Sequence, residues 1–270
     1  MKKAIAALGA HWPEYLCEAL GLGLFMVSAG MFGTLLFGTA SPLAGSSPLV
    51  VRFWMGLAMG ATAIALIYSP LGRRSGAHLN PATTLTFFRL GKIEAADAFW
   101  YAVAQCLGGV GGVLVVRGLL GARFTMTPVQ SVVTVPGAGG PWMALLAEAA
   151  ISFILMMVVL HVSNSRRFAA LTGLCAGTLV ALYITFEAPL SGMSMNPART
   201  LASALPSGTW TAFWVYLTAP VLGMLAAAEV YAHTHAQGAI CAKLCHDDRH
   251  RCIFRCGYCR HEDASSTLSV

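Results

Sequence analysis

Ser75-Gly-Ala-His-Leu-Asn-Pro-Ala82 and Ser191-Gly-Met-Ser-Met-Asn-Pro-Ala198 are one word written twice. Ser, Gly, Asn, Pro and Ala recur at a constant offset, and Thr-Leu follows in the same frame at Thr84-Leu85 and Thr200-Leu201. Asn is a favoured helix N-cap, and Pro is favoured at the first helical position because its missing N–H has no partner to lose there. Each copy therefore predicts a helix that begins at its triplet, Asn80-Pro81-Ala82 or Asn196-Pro197-Ala198. One triplet alone is an ordinary capped start; two in register mark a duplication.

The sequence around the triplets is that of a membrane protein. Of 270 residues 57% are hydrophobic and 10% charged, with a mean hydropathy of +0.68, whereas a soluble domain carries about 25% charged residues. Stretches near 14–38, 49–69, 99–120, 142–162, 168–187 and 210–232 are each long and apolar enough to span as helices. Turn chemistry separates them at Ser41-Pro42 to Pro48, Gly121 to Pro141, Ser163 to Arg167 and Pro206-Ser-Gly208. The triplets fall in the second and fifth connections. Each is followed by an apolar run too short to cross, 83–90 and 200–205, so both read as re-entrant half-helices, tolerated only where protein or a watery cavity satisfies the backbone. The expected fold is an all-α membrane protein of six transmembrane helices and two half-helices. The membrane-embedded part would occupy 1–235, with repeat halves at about 10–120 and 140–235, and residues 236–270 form a Cys/His-rich tail.

Three spans per half mean that the second half enters the membrane in the opposite sense. Inverted repeats place their functional site at the midplane, where broken helices meet. Glu18 and Glu148 hold corresponding places in the first and fourth spans, and ionisable groups at such depth are costly. Two helix starts meeting there bring two positive dipole ends and two Asn side chains to one point. A water that turns its oxygen to both amides interrupts the hydrogen-bonded wire a proton needs, and the positive ends repel cations.

Lys2, Lys3, Arg73, Arg74, Arg89, Lys92, Arg166, Arg167 and the basic tail residues fall on one side of this topology. Arg52, Arg117, Arg123 and Arg199 fall on or toward the other. The bias predicts cytoplasmic termini in a plasma (inner) membrane. It also accounts for the net charge of +6 without nucleic acid as a partner. Met1-Lys2-Lys3 and the apolar residues after it are similar to the start of a signal peptide. The run is brief and leads into His11-Trp12-Pro13-Glu14, so an uncleaved amphipathic lead-in is expected.

The paired Asn-Pro-Ala word, Ser-Gly-Ala-His before the first triplet and Arg after the second resemble the aquaporin, or major intrinsic protein, family over about residues 10–235. The resemblance implies a passive channel for water or small uncharged solutes that excludes protons and ions, embedded in a lipid bilayer, homotetrameric, with no enzymatic activity and no cofactor in the pore. It implies pore asparagines at Asn80 and Asn196 and the outer-constriction arginine at Arg199. It also implies a pore-mouth histidine at His78, and buried glutamates, Glu18 and Glu148, that hold the re-entrant loops. The other constriction positions align as Met193, with Met59 or Gly60 on the second span and Tyr183, Ile184 or Thr185 on the fifth. The fifth span lacks the His of water-selective members, and Thr200 stands where glycerol facilitators carry Asp. These soft or small side chains suggest a less polar and wider filter.

From Cys241 the tail reads Cys-x3-Cys245-His246, then His250-x-Cys252-x3-Cys256-x2-Cys259, with His261 beyond. In a reducing cytoplasm such thiols suit metal better than disulfides. Cys245, Cys252, Cys256 and Cys259, with His246 or His250 as substitutes, form a candidate zinc set. The tail could then act as sensor or gate. Cys252-x3-Cys256-x2-Cys259 also resembles the cluster signature of radical S-adenosylmethionine enzymes, which would make the chain a membrane-anchored iron–sulfur enzyme; no barrel-sized domain accompanies it.

Overall fold

The computed structural model describes residues 2–165, 167–235, 238–246 and 249–258; Met1, Arg166, Cys259 and His261 lie outside them. The described chain is helical without strands. In order it forms α1 (Lys2–Phe37), α2 (Pro48–Tyr68), α3 (Pro70–Ser75), α4 (Pro81–Arg89), α5 (Ala95–Leu120), α6 (Ala122–Thr125), α7 (Gly140–Ser163), α8 (Thr172–Phe186), α9 (Ala188–Ser191), α10 (Pro197–Ser207) and α11 (Phe213–Thr234). Six of these, α1, α2, α5, α7, α8 with its preceding turn, and α11, are long and apolar enough to cross a membrane. Leu107, Leu119, Leu146 and Leu222 cover their outward faces, as lipid demands.

Each half uses three spans and one half-helix. α1 packs on α5, α2 on α8, and α7 on α11. Close approach needs small residues: a Cβ on Gly108 would lie 2.0 Å from the Ala19 carbonyl oxygen, and one on Gly112 would lie 2.3 Å from that of Gly23. The Gly108–Gly112 run is thus largely the α1–α5 contact. The half-helices α4 and α10 each pack against both α5 and α11, which carries one element of each half into the other.

α1 begins well before the expected span and runs through Pro13. Its first turns are tied to α5: Trp100 Nε1 donates to the Ala4 carbonyl at 2.9 Å, and Asp97 receives Tyr15 Oη at 2.6 Å and pairs with His11 Nδ1 at 2.7 Å. Those long-range bonds hold the first turns of α1 against α5 on both sides of Pro13.

Candidate functional site

Asn80 and Asn196 take extended backbone angles just outside α4 and α10, and their side-chain oxygens cap the helices they precede. Asn80 Oδ1 accepts from Ala82 N at 2.9 Å. Asn196 Oδ1 accepts from Ala198 N at 3.0 Å and Arg199 N at 3.2 Å. The amide nitrogens cross over: Asn80 Nδ2 donates to the Met195 carbonyl and Asn196 Nδ2 to the Leu79 carbonyl, both at 2.7 Å. Each triplet is thereby tied to the other half's loop. An amide carries two N–H groups, so each asparagine keeps one for the cavity it lines.

The loops before the triplets hold Ala77, Leu79, Met193 and Met195 at positive φ between 49° and 56°, a conformation costing L-residues about 1–2 kcal/mol each. One buried carboxylate per half fixes them. Glu18 accepts from Ser75 Oγ at 2.6 Å, His78 N at 3.0 Å, Leu79 N at 2.6 Å and Gln105 Nε2 at 2.6 Å. Glu148 accepts from Ser191 Oγ at 2.8 Å, Ser194 N at 2.6 Å and Met195 N at 2.7 Å. Tyr101 and Tyr216 repeat the symmetry, donating to the carbonyls of Ser75 and Ser191 at 2.7 and 2.5 Å.

Both asparagines open on a cavity of about 490 Å³. Arg199 lines it, with Nη1 bonded to Thr134 Oγ1 of the loop before α7. His78, Met59, Met193 and Ile184 line it too. Gly60 does not: a Cβ there would sit 2.6 Å from the Gly177 carbonyl oxygen, so Gly60 is where α2 touches α8. The α2 side chain at that level is Met59, one residue earlier, as the added length at Tyr68–Arg74 allows. On α8, Thr185 bonds instead to the Ala181 carbonyl, and Ile184 faces the lumen. Met55 and Arg52 join the lining, and Arg52 Nε donates to the Thr185 carbonyl at 3.1 Å. Nothing in the triplets pointed to Met55, Arg52 or Thr134.

A model of the major intrinsic protein family matches residues 7–231. Aquaporin NIP2-2 of Zea mays is 34% identical over 207 residues, covering 76% of this chain and 68% of that one. Aquaporin NIP1-4 of Oryza sativa subsp. japonica is 37% identical over 177 residues, covering 65% of this chain and 63% of that one. The chain belongs to the major intrinsic protein family. A solved aquaglyceroporin from Plasmodium falciparum shares its fold at a TM-score of 0.66 and 24% identity, over 82% of this chain and 95% of that one. Members of the family are channels, not enzymes, and the pore needs no cofactor. The chain is accordingly a multi-pass aquaporin-type channel.

Beyond the family match the described chain continues over the pore end where α1 begins and α11 ends. The described tail has no helix or strand, yet Ala242, Lys243, Leu244 and Phe254 are buried. His78 is only 4% exposed. Its Nδ1 meets Thr84 Oγ1 at 3.0 Å, its Nε2 meets the Ala242 carbonyl at 2.9 Å, and its ring lies between Phe87 and Phe254. The expected mouth histidine lines the cavity and is covered from outside.

The tail also gathers Cys241, His246, Cys252 and Cys256, each with a ligand atom within 4.8 Å of the others. Among the described residues this group shares His246, Cys252 and Cys256 with the expected set and adds Cys241. Cys241 enters because the chain folds back so that its thiol meets Cys252. Among the described residues the group does not include Cys245 or His250. Cys259 lies outside the described residues. The Cys241 thiol, bonded to Cys252 and Cys256 and desolvated, is pushed above its ordinary pKa, and Cys252 on the other side of that bond is pulled below its own.

Proposed function

We propose that this channel conducts water and small uncharged solutes passively across the plasma membrane, with both termini cytoplasmic and four subunits per assembly, and that it excludes protons and ions. The observation that carries the reading is the crossed pair of asparagines at the meeting of two capped half-helices. Their remaining N–H groups favour a lone pair and offer no acceptor, so a water held by both cannot relay a proton along the pore. Arg199 adds a full positive charge and hydrogen-bond donors for a solute oxygen. Met59, Met193 and Ile184 make the rest of that constriction soft and apolar, which favours small neutral solutes beyond water. Lys2, Lys3, Arg73, Lys92 and the tail's basic residues support cytoplasmic termini. The relatives, an aquaporin and an aquaglyceroporin, agree with the solute class.

Stopped-flow swelling of proteoliposomes tests this with a panel of water, glycerol, urea and ammonia, run with a chelator present because the tail covers one mouth. At least one neutral species should cross faster than in empty vesicles, without ionic conductance. Folded protein that speeds none of them would refute the reading.

A further inference from the structure

The tail segment 238–258 poses a physical problem. It is irregular throughout its described residues and too short for a core of its own, and segments of this kind need a disulfide, a metal or a host surface to hold one conformation. It has a host surface. Leu244 N donates to the Gly76 carbonyl at 3.0 Å, beside the first triplet's loop, and the Leu244 side chain lines the pore cavity. Phe254 covers the His78 ring, with centroids 5.3 Å apart. Lys243, 2% exposed, spends its ammonium on the carbonyls of Arg73 and Arg251 at 2.9 and 3.2 Å. Around the rim Arg255 pairs with Glu94, Ile240 N donates to Asn164, and Tyr258 Oη donates to the Ser163 carbonyl at 2.8 Å. These anchors come from the loop before the first triplet, the start of α5 and the end of α7. The segment therefore spans the mouth from side to side.

Its interior is a ligand set. Cys241 Sγ and Cys252 Sγ are 3.7 Å apart, and Cys256 Sγ is 3.8 Å from His246 Nδ1. Tetrahedral zinc with Zn–S about 2.3 Å and Zn–N about 2.0 Å has ligand edges of about 3.8 Å between sulfurs and about 3.5 Å from sulfur to nitrogen. A disulfide would need the sulfurs at about 2.05 Å. Three thiols and an imidazole select a soft or borderline cation over calcium or magnesium. The surroundings suit it. Lys243 N donates to Cys241 Sγ at 3.5 Å, and His246 stacks on Tyr258 at 4.6 Å, which fixes the imidazole to a ring anchored on α7. Binding releases the three thiol protons and leaves a centre of net charge −1, and Lys243 and Arg251 lie within the same fold.

We infer that Cys241, His246, Cys252 and Cys256 bind one zinc-class divalent ion, and that this ion holds residues 238–246 and 249–258 as a plug in the tail-side mouth of the pore. The ligands alternate along the chain with the occluding residues: Cys241 precedes Lys243 and Leu244, and Phe254 lies between Cys252 and Cys256. Loss of the ion frees the side chains that cover His78. The first half of the inference stands on the cluster alone; the second rests on the pore reading above.

The test uses the full chain, purified under reducing conditions, alongside a Cys252→Ser/Cys256→Ser double variant and Phe254→Ala. Elemental analysis should find about one zinc per wild-type chain and close to none in the double variant, and cobalt(II) should give wild type the intense visible bands of a tetrahedral thiolate site. In proteoliposomes, chelation should raise wild-type neutral-solute flux about tenfold, the change expected if the uncovered state is a minor one beforehand. The double variant should start high and ignore the chelator. Phe254→Ala should keep its metal and leak. Equal metal in wild type and double variant, or a Cys241–Cys252 disulfide in its place, would overturn the site. A wild-type flux indifferent to chelator while the double variant conducts no faster would overturn the plug. If no folded protein in the series conducts, the pore reading has failed and the plug with it, while the metal and cobalt readouts still judge the site.

Discussion

The two copies of the Asn-Pro-Ala word are alike where they hold the protein together and differ where they face the ends of the pore. Ser75 and Ser191, the two asparagines and the two buried glutamates make matching bonds. One residue after the triplet the halves part: Thr83 Oγ1 rests on the Met224 sulfur at 3.6 Å, and its counterpart is Arg199, bonded across to Thr134. Two residues before the asparagine they part again. His78 and Ser194 both reach the threonine six residues on, at 3.0 and 2.5 Å, but only the His78 ring also carries the tail. Duplication supplied the scaffold, and the departures from it assign the charge to one end of the pore and the cover to the other.

The largest effect should come from breaking the shared scaffold. Glu18→Ala leaves the Ser75, His78, Leu79 and Gln105 donors without their acceptor, which should cost on the order of 4 kcal/mol at about 1–3 for each orphaned buried group. Glu148→Ala, with three such donors, should cost somewhat less. Thermal denaturation in detergent measures both, and a Glu148 variant clearly worse than the Glu18 one would mean the halves are not held alike.

Next come the crossed asparagines. Asn80→Ala or Asn196→Ala removes one cap and one bond to the other half, for about 2 kcal/mol. Because each amide steadies the loop that carries the other, the double variant should cost less than the sum of the singles. Strict additivity in the same denaturation assay would show the halves uncoupled.

The asymmetric positions should change selectivity more than stability. Arg199→Val should keep neutral-solute flux and raise proton or cation leak about tenfold, since one charge at a few ångströms contributes a few kcal/mol at an effective dielectric near 20. A trapped pH dye read beside vesicle swelling measures it. An unchanged leak with unchanged solute ranking would take Arg199 out of the constriction. Smallest is Thr134→Val, which leaves the guanidinium in place and removes one partner; a leak increase of about threefold is expected in the same assay, for a bond of about 0.5–1.5 kcal/mol.

Much of this was legible in the sequence because it is local or repeated. A capped helix start is written in adjacent residues, and the second copy marks its depth, so the half-helices could be read directly, while the roles expected of Arg199 and the two glutamates came with the family resemblance. The choice between Met59 and Gly60 could not, because a connection of unusual length separates α2 from the triplet and a one-residue shift exchanges lumen for helix contact. Cys241 was visible as a thiol but not as a ligand: pairing by spacing favours Cys245, and only the fold of an irregular segment brings Cys241 onto Cys252. Leu244 on the cavity and Phe254 on His78 are contacts between distant parts of the chain, and no periodicity announces them.

The measurement that bears most directly on the central claim is simultaneous neutral-solute and proton flux in one set of proteoliposomes carrying the metal-free full chain. A pore built around two opposed half-helix ends predicts swelling well above empty vesicles for at least one small uncharged solute, with the trapped pH dye drifting no faster than in the empty controls. Protons that cross in step with the solute, or folded protein that passes neither, would contradict it.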